Sequence, residues 1–185
     1  ARPLAWTLAL TLTLGMIALA WAFYTNDFTL EYVANNSNSK LPWFYRLSAI
    51  WGGHEGSLLL WVWMLSLWGA AVATFTRSVP RVMVARVIAV MGLISVGFIL
   101  FMLLTSNPFA RALPWPPMDG ADLNPLLQDP GLIVHPPMLY MGYVGFSVAF
   151  AFAIGGLLTG NLDPQWARWA RPWTTVAWCF LTIGI

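Results

Sequence analysis

The sequence contains few charged residues and almost no cysteine. Only 9% of its 185 residues are charged, whereas soluble globular domains carry about 25%. The formal net charge is only +2, and nucleic-acid binding requires clustered basic residues, so we expect no nucleic-acid partner. Because Cys179 is the single cysteine, an internal disulfide and a CxxC site are excluded. We expect Cys179 to be a buried apolar residue.

The sequence is instead rich in long apolar segments. Hydrophobic residues make up 59% of the chain, and crossing a bilayer takes about 20 apolar residues in a helix. The pattern therefore predicts an all-α, polytopic transmembrane helix bundle in a lipid bilayer, forming a single membrane domain over residues 1–185. The chain lacks an initiating methionine and its last apolar run stops at Ile185, so it is interpreted as a fragment. We predict four full spans and a truncated fifth, at about residues 4–23, 57–75, 87–105, 138–159 and 172–185.

The basic residues predict the orientation of the spans. Arg2 and the short segments 76–86 and 160–172 together hold six basic residues, whereas the long loops 24–56 and 106–137 hold three. The positive-inside rule places short basic loops in the cytoplasm, so both long loops are expected to face outward. Tryptophans and tyrosines near the span ends are typical of the membrane–water interface; they include Trp6, Trp51, Trp115, Tyr140, Tyr143, Trp166, Trp169 and Trp173.

The first outer loop contains three distinct patterns. Residues 25–28 predict a helix end and a turn, and the polar stretch 35–40 is expected to be solvated. The loop ends in Trp-Gly-Gly-His-Glu-Gly-Ser over residues 51–57. Its glycines allow unusual backbone angles or a close approach to another group, and the second span is expected to begin at Gly56 or Ser57.

The second outer loop is rich in proline, which favours an extended path over a long helix. Asp119 and Asp122, like Asp163 further along, are interpreted as helix caps or turn formers. The loop ends in Val-His-Pro-Pro over residues 134–137. Because proline is tolerated in the first turn of a helix, we expect His135 to lie just before the fourth span in an extended conformation.

The two histidines of the chain, His54 and His135, occupy equivalent places. Each precedes a span predicted to run from the outside to the inside, so both are expected near the outer membrane surface at similar depth. A neutral imidazole is a common ligand of metals and of haem iron. Helix capping or loop hydrogen bonding is the alternative role for either histidine, and position alone leaves the choice open.

Two long motifs are specific enough to indicate a family. Residues 51–61 read Trp-Gly-Gly-His-Glu-Gly-Ser-Leu-Leu-Leu-Trp, and residues 122–145 contain Gln-Asp-Pro-Gly-Leu-Ile-Val-His-Pro-Pro-Met-Leu-Tyr. Shorter matches are Asn-Asp-Phe-Thr at residues 26–29 and Arg-Pro-Trp at residues 171–173. Together they resemble the CcmF-type haem lyase family of cytochrome c biogenesis, which includes NrfE. The chain is interpreted as an N-terminal fragment of such a protein.

The resemblance implies a function in cytochrome c maturation. Such proteins are multi-pass proteins of the bacterial inner membrane with long periplasmic loops. They bind haem delivered by the periplasmic chaperone CcmE. With CcmH and CcmI they help to form thioether bonds between the haem vinyl groups and the CxxCH cysteines of apocytochrome c. A b-type haem is implied as substrate and as bound cofactor of the full protein. Lyase activity is implied for the parent protein, and activity of this fragment alone is left open.

The resemblance assigns one residue directly, because the family's Val-His-Pro-Pro histidine is an axial ligand of the haem iron. That role falls on His135, while no catalytic residue is assigned. His54, Glu55, Trp51, Arg111 and Arg46 are candidates for haem-proximal positions. The arginines could pair with haem propionates and the tryptophan could stack on the porphyrin, but lipid-headgroup contact and interfacial anchoring are the alternatives.

Three other functions remain as alternatives. A haem-transporting membrane subunit would need polar residues along its spans, and the four full spans contain no Asp, Glu, Lys or Arg, which argues against an ion or proton route. A purely scaffolding subunit of the same assembly would bind no haem. A lyase dedicated to one particular cytochrome, such as the nitrite-reductase type, is not distinguished by this sequence.

Overall fold

A computed structural model describes residues 1–160 and 164–185 of the chain. The predicted all-α class is confirmed, since the described residues contain helices and no strand, with a single isolated bridge between Leu30 and Arg111. Short 3-10 turns cover Ala49–Trp51 and Pro125–Gln128. Asp163, expected to form a cap or turn, lies outside the described residues. The α-helices are α1 (Arg2–Thr25), α2 (Glu31–Asn36), α3 (Trp43–Ser48), α4 (His54–Phe75), α5 (Arg81–Thr105), α6 (Pro130–Leu157) and α7 (Gln165–Gly184).

Four of the described helices, α1, α4, α5 and α6, are long and apolar enough to cross a membrane. They have 24, 22, 25 and 28 residues. Helices α1, α4 and α5 contain the predicted spans 4–23, 57–75 and 87–105, and α6 overlaps the predicted span 138–159 but ends at Leu157. The predicted fifth run, 172–185, overlaps α7, which begins at Gln165, ends at Gly184 and carries Arg168 and Arg171 in its first two turns. Several boundaries differ from the predicted ones, most of all at α6.

Helix α4 is the centre of the bundle. In the most apolar stretch of α4, 61% of the residues are buried, whereas in that of α1 only 17% are. Helix α4 packs on α1, α5 and α6. Helices α6 and α7 pack closely because glycine lets their backbones approach. A β-carbon at Gly142 would lie 2.7 Å from the backbone nitrogen of Leu181, and one at Gly145 would lie 2.7 Å from Cβ of Ala177.

The two outer loops pack on each other as one layer at one end of the bundle. The backbone N–H of Glu31 donates to the carbonyl of Ala110 at 3.0 Å, and that of Ala112 donates to the carbonyl of Thr29 at 2.9 Å. The predicted turn after α1 is confirmed by Asn26, whose φ of 57° ends the helix in the left-handed region. Backbone pairing between loops far apart in sequence was not predicted.

The expectation that residues 35–40 are solvated is wrong in part, because the second loop covers Ser37 and Asn38, which are 0% and 8% exposed. The Asn38 amide donates to the Asp122 carboxylate at 2.6 Å. Ser39 donates to the Asp119 carboxylate through its backbone N–H at 2.9 Å and its hydroxyl at 2.7 Å. These bonds hold the pKa of Asp119 below its usual range. The interpretation of Asp119 and Asp122 as local caps or turn formers therefore missed their main role.

The expected extended conformation of His135 is wrong. Asp129 caps α6 by accepting hydrogen bonds from the N–H groups of Gly131 and Leu132 at 2.8 and 3.3 Å, and Pro130 occupies the first turn. The helix is therefore nucleated before His135 is reached. Position 135 lies in the second helical turn, followed inside the helix by Pro136 and Pro137.

The expectation for Cys179 is also wrong, because the thiol-bearing residue is exposed on α7. The neighbouring Ala177 is 0% exposed and packs against Gly145 of α6. Since residues two apart on a helix point in different directions, burial of Ala177 turns Cys179 away from the bundle.

Candidate functional site

The start of α6 and the end of α7 form a recess beside His135. Its volume is about 460 Å³, within the range of small-molecule sites. His135 is exposed, and it makes no hydrogen bond with the part of the chain that the structure describes. The other side chains of the recess are mostly apolar; they are Asp129, Leu132, Val134, Met138, Ile183 and Ile185.

The prolines that follow His135 restrict its backbone. Pro136 and Pro137 lack N–H groups, so they cannot donate the usual helical hydrogen bonds to the carbonyls of Leu132 and Ile133. Their rings also fix φ at two successive residues. The imidazole of His135 is therefore carried on a stiff segment, which suits a side chain that must hold one orientation.

His54 is placed differently, because its side chain has a partner. It is the first residue of α4, and its Nδ1 atom lies 2.9 Å from the Ser106 hydroxyl just beyond the end of α5. Its ring meets Phe101 edge-on, with centroids 6.3 Å apart. The hydrogen-bonding alternative considered for His54 thus has direct structural support, since it joins two span ends.

Both histidines lie at the same end of the bundle. Helices α4 and α6 begin there, and Trp61 of α4 meets Tyr140 of α6 with ring centroids 5.3 Å apart. Trp61 is two turns beyond His54, and Tyr140 is little more than one turn beyond His135. The two histidines nevertheless occupy separate places, since His54 is not among the residues that line the His135 recess.

The turn before α4 is held by Tyr32, whose role no sequence pattern indicated. Its hydroxyl donates to the Ile50 carbonyl at 2.9 Å and accepts from the Gly53 N–H at 2.9 Å. Burial raises the pKa of Tyr32 above the usual value for a phenol. The expected close approach at the glycines is confirmed, because a β-carbon at Gly56 would lie 1.6 Å from the Ile50 carbonyl oxygen.

Glu55 faces a separate polar recess of about 340 Å³ between α2, α4 and the end of α5. Trp51 is half-buried against the apolar core, and its carbonyl accepts a hydrogen bond from the Ser57 hydroxyl at 2.9 Å. Neither residue lines the recess beside His135. The other polar residues around Glu55 are Glu31, Asn35, Asn36, Thr105, Ser106 and Asn107.

Both candidate arginines have partners within the outer loops. Arg46 donates from Nε to the Leu41 carbonyl at 2.6 Å and from a terminal nitrogen to the Ser39 carbonyl at 2.9 Å. Arg111 donates to the Thr29 hydroxyl and lies 4.0 Å from the Asp27 carboxylate. These contacts give both arginines a structural role in the loop layer, away from the His135 recess.

The residues present fit a haem held by one imidazole better than a bare metal ion. Among the described residues, no group of three or more His, Cys, Asp and Glu side chains could hold a metal ion. A haem iron is already held by four porphyrin nitrogens, so a single histidine is enough for one axial position. The exposed imidazole of His135 beside apolar walls meets that requirement.

Comparison with known proteins finds similarity to proteins of cytochrome c assembly. Residues 51–185 match the family model of the cytochrome c assembly proteins. The cytochrome c-type biogenesis protein CcmF of Pseudomonas aeruginosa is 66% identical over all 185 residues of this chain, which span 28% of that protein. CcmF of Escherichia coli is 61% identical over 184 residues, again 100% of this chain and 28% of the relative.

A solved structure has the same fold. The cytochrome c haem lyase CcmF matches with a TM-score of 0.84 at 32% identity, over 100% of this chain and 28% of that one. The chain therefore spans just over a quarter of the length of the relatives it matches. Motifs, fold and comparisons lead to one conclusion: the chain belongs to the cytochrome c assembly protein family, together with the CcmF proteins of cytochrome c biogenesis.

Proposed function

We propose that the full-length protein is a haem lyase subunit of the cytochrome c maturation system, and that His135 is an axial ligand of its substrate haem. The observation that carries this proposal is the state of His135, which is exposed, free of hydrogen bonds within the described residues and placed beside an apolar recess. His54 differs in two respects, because its Nδ1 atom lies 2.9 Å from the Ser106 hydroxyl and because it does not line that recess. The names of the relatives, which include a haem lyase, support the same reaction class.

In this proposal the residues of the chain bind and orient haem. A ring nitrogen of neutral His135 provides a lone pair to the iron, and Leu132, Val134 and Met138 offer apolar contact to the porphyrin. Each thioether bond forms by addition of a cysteine S–H across a vinyl double bond, so no group leaves. Holding the vinyl group and the thiol in one geometry lowers the barrier by several kcal/mol.

The proposed location is the bacterial inner membrane, with the loop layer facing the periplasm. The asymmetry of basic residues supports this orientation, because six of the nine lie at the opposite end of the spans. The His135 recess would then open on the side where the haem chaperone CcmE, the subunits CcmH and CcmI and apocytochrome c arrive. A b-type haem held elsewhere in the full-length protein belongs to the same proposal.

The experiment compares two histidine variants of the full-length protein. Visible absorption spectra are recorded with and without the haem chaperone, and holocytochrome c is measured in cells. His135→Ala should lose the spectrum of the delivered haem and most holocytochrome c, yet remain in the membrane at normal abundance. The matched control His54→Ala should keep the haem spectrum, since His54 does not line the recess beside His135.

The results of these measurements distinguish a haem-binding lyase subunit from a scaffolding subunit. Added imidazole should restore haem binding to His135→Ala, because it can fill the vacated axial position. A normal haem spectrum and a normal holocytochrome yield in His135→Ala would remove His135 from the proposed role. A wild-type protein that takes up no haem from the chaperone would instead indicate a scaffolding subunit.

A further inference from the structure

An apolar groove runs between α1 and α5, at the end of the bundle away from the outer loops. Its volume is about 510 Å³. The first two turns of α1 form one wall, α5 forms the other, and α4 forms the floor. The α5 wall includes three small residues at helical spacing, Ala85, Ala89 and Gly92, among larger apolar ones.

Nothing within the described part of the chain fills this groove. A β-carbon built on Gly92 meets no atom within 4 Å, and Leu4 and Leu93 on its rim are 72% and 73% exposed. The polar side chains that line it, Ser66 and Ser95, both donate to carbonyls of their own helices, at 2.6 and 2.9 Å. The groove therefore fits an apolar occupant that has no need of hydrogen bonds along its length.

The end of the groove is positively charged. A neighbouring recess of about 350 Å³ is lined by Arg2 and Arg81 and shares Ala1 and Ala85 with the groove. Both arginines are exposed, and Arg2 also donates to the Thr76 carbonyl at 3.3 Å. No Asp or Glu occurs in residues 1–26 or 56–118. Glu55, the one carboxylate of the three helices that form the groove, lies in the first turn of α4, whereas Arg2 contacts Thr76 just beyond the last turn, so these helices place no carboxylate beside the two arginines.

The length of the groove matches one membrane leaflet. Its α5 wall extends from Ala85 to Val96, which corresponds to a rise of about 16 Å. That is about half the thickness of the hydrocarbon core of a bilayer. A lipid acyl chain that begins at the level of the arginines would therefore end near the bilayer midplane.

We propose that this groove binds an anionic phospholipid, with one acyl chain between α1 and α5 and its phosphate on Arg2 and Arg81. Arginine binds phosphate with two parallel hydrogen bonds, and basic pockets between transmembrane helices on the cytoplasmic side are suited to anionic headgroups. A transmembrane helix packed on the small residues of α5 is the competing occupant. An apolar helix would leave both arginines without an anionic partner.

The first test measures lipid binding to the full-length protein. Protein delipidated in detergent is titrated with phosphatidylglycerol or phosphatidylcholine and followed by native mass spectrometry. We expect phosphatidylglycerol to bind preferentially, and the double variant Arg2→Gln/Arg81→Gln to bind it at least about tenfold more weakly. Arg168→Gln, an exposed arginine of α7 outside the recess, should bind as the wild type does. Glycerol phosphate, which lacks acyl chains, should fail to displace the lipid.

The second test fills the groove. Ala89→Trp places a large side chain on its wall, whereas Leu100→Trp places one on an exposed part of α5 that does not line it. We expect only the first to displace phosphatidylglycerol, with both proteins normally folded. Unchanged lipid binding in the double arginine variant would overturn the proposal. If the double arginine variant binds lipid normally and Ala89→Trp also fails to fold, a docked helix is favoured as the occupant instead.

Discussion

The backbone N–H of Gly53 donates a 2.9 Å hydrogen bond to the phenol oxygen of Tyr32, which lies 21 positions earlier. The same phenol donates to the Ile50 carbonyl at 2.9 Å, and its ring packs edge-on against Phe23 at 5.5 Å. One buried side chain of the first outer loop thus holds both ends of the turn that precedes His54.

Tyr32→Phe should destabilise the protein by about 1–3 kcal/mol, because it leaves the buried partners of the phenol unsatisfied. Thermal unfolding of the full-length protein in detergent measures the effect. Tyr24→Phe serves as the control, since Tyr24 is 52% exposed at the end of α1. Equal melting temperatures for the two variants would show that the phenol bonds contribute nothing.

The stability of the protein should also fall at high pH in a way that depends on Tyr32. Burial raises the pKa of its phenol above the ordinary value of about 10. The contribution of Tyr32 is therefore complete below about pH 10 and is lost as the pH rises towards the folded-state pKa, since the unfolded chain ionises first. The difference in stability between wild type and Tyr32→Phe should shrink over that range, and a constant difference would contradict the assignment.

Gly56→Ala should disrupt the turn more severely. The new β-carbon would lie 1.6 Å from the Ile50 carbonyl oxygen, so the backbone must move, at a cost of several kcal/mol. We expect low abundance in the membrane and a lowered melting temperature. Gly15→Ala is the matched control, because its β-carbon meets nothing within 4 Å and alanine favours a helix by about 1 kcal/mol. Similar behaviour of the two variants would refute the steric explanation.

Asp122→Ala should loosen the contact between the two outer loops. The Asn38 amide, 2.6 Å from the carboxylate, would lose its partner while the residue is 8% exposed. Hydrogen exchange at the Ala121 N–H, which donates to the Ala34 carbonyl at 2.7 Å, should accelerate about tenfold. Glu31→Ala, which removes an exposed carboxylate of α2, should leave that rate unchanged. An unaltered rate in Asp122→Ala would mean that backbone pairing alone holds the loops together.

Arg46→Ala should affect the stability of the first outer loop and leave haem affinity unchanged. The guanidinium bonds to the Leu41 and Ser39 carbonyls at 2.6 and 2.9 Å, and alanine removes both bonds. Parallel measurements of thermal unfolding and haem titration in the full-length protein separate the two effects. A large loss of haem affinity with unchanged stability would instead support contact between Arg46 and a haem propionate.

The spans could be predicted from sequence because the solvent determines them. A charge-free apolar run of about 20 residues has a stable place only in lipid, and only as a helix. Their boundaries could not be predicted equally well. The Pro136–Pro137 pair indicated an extended residue before the fourth span. The cap at Asp129 and the close packing of Gly184 against Leu139 keep that segment helical, since a β-carbon built on Gly184 would lie 2.8 Å from the backbone nitrogen of Leu139.

The loops likewise could be predicted from sequence only in part. Polar residues at positions 37 and 38 favoured solvent exposure, but burial depends on what covers a residue, and here the covering loop is about 80 positions away. A long-range contact of this kind leaves no local signal in residue type or spacing. For the same reason the partners of Arg46, Arg111 and His54 became visible only in the fold.

The sequence by itself determined the membrane as solvent, the helical class, the four spans and the family motifs around the two histidines, because each follows from local composition or from residue order. The tertiary structure alone decided that His54 is bonded to Ser106 while His135 is free beside a recess. Which imidazole finds a partner depends on how α4, α5, α6 and α7 pack, and packing is a property of the whole bundle.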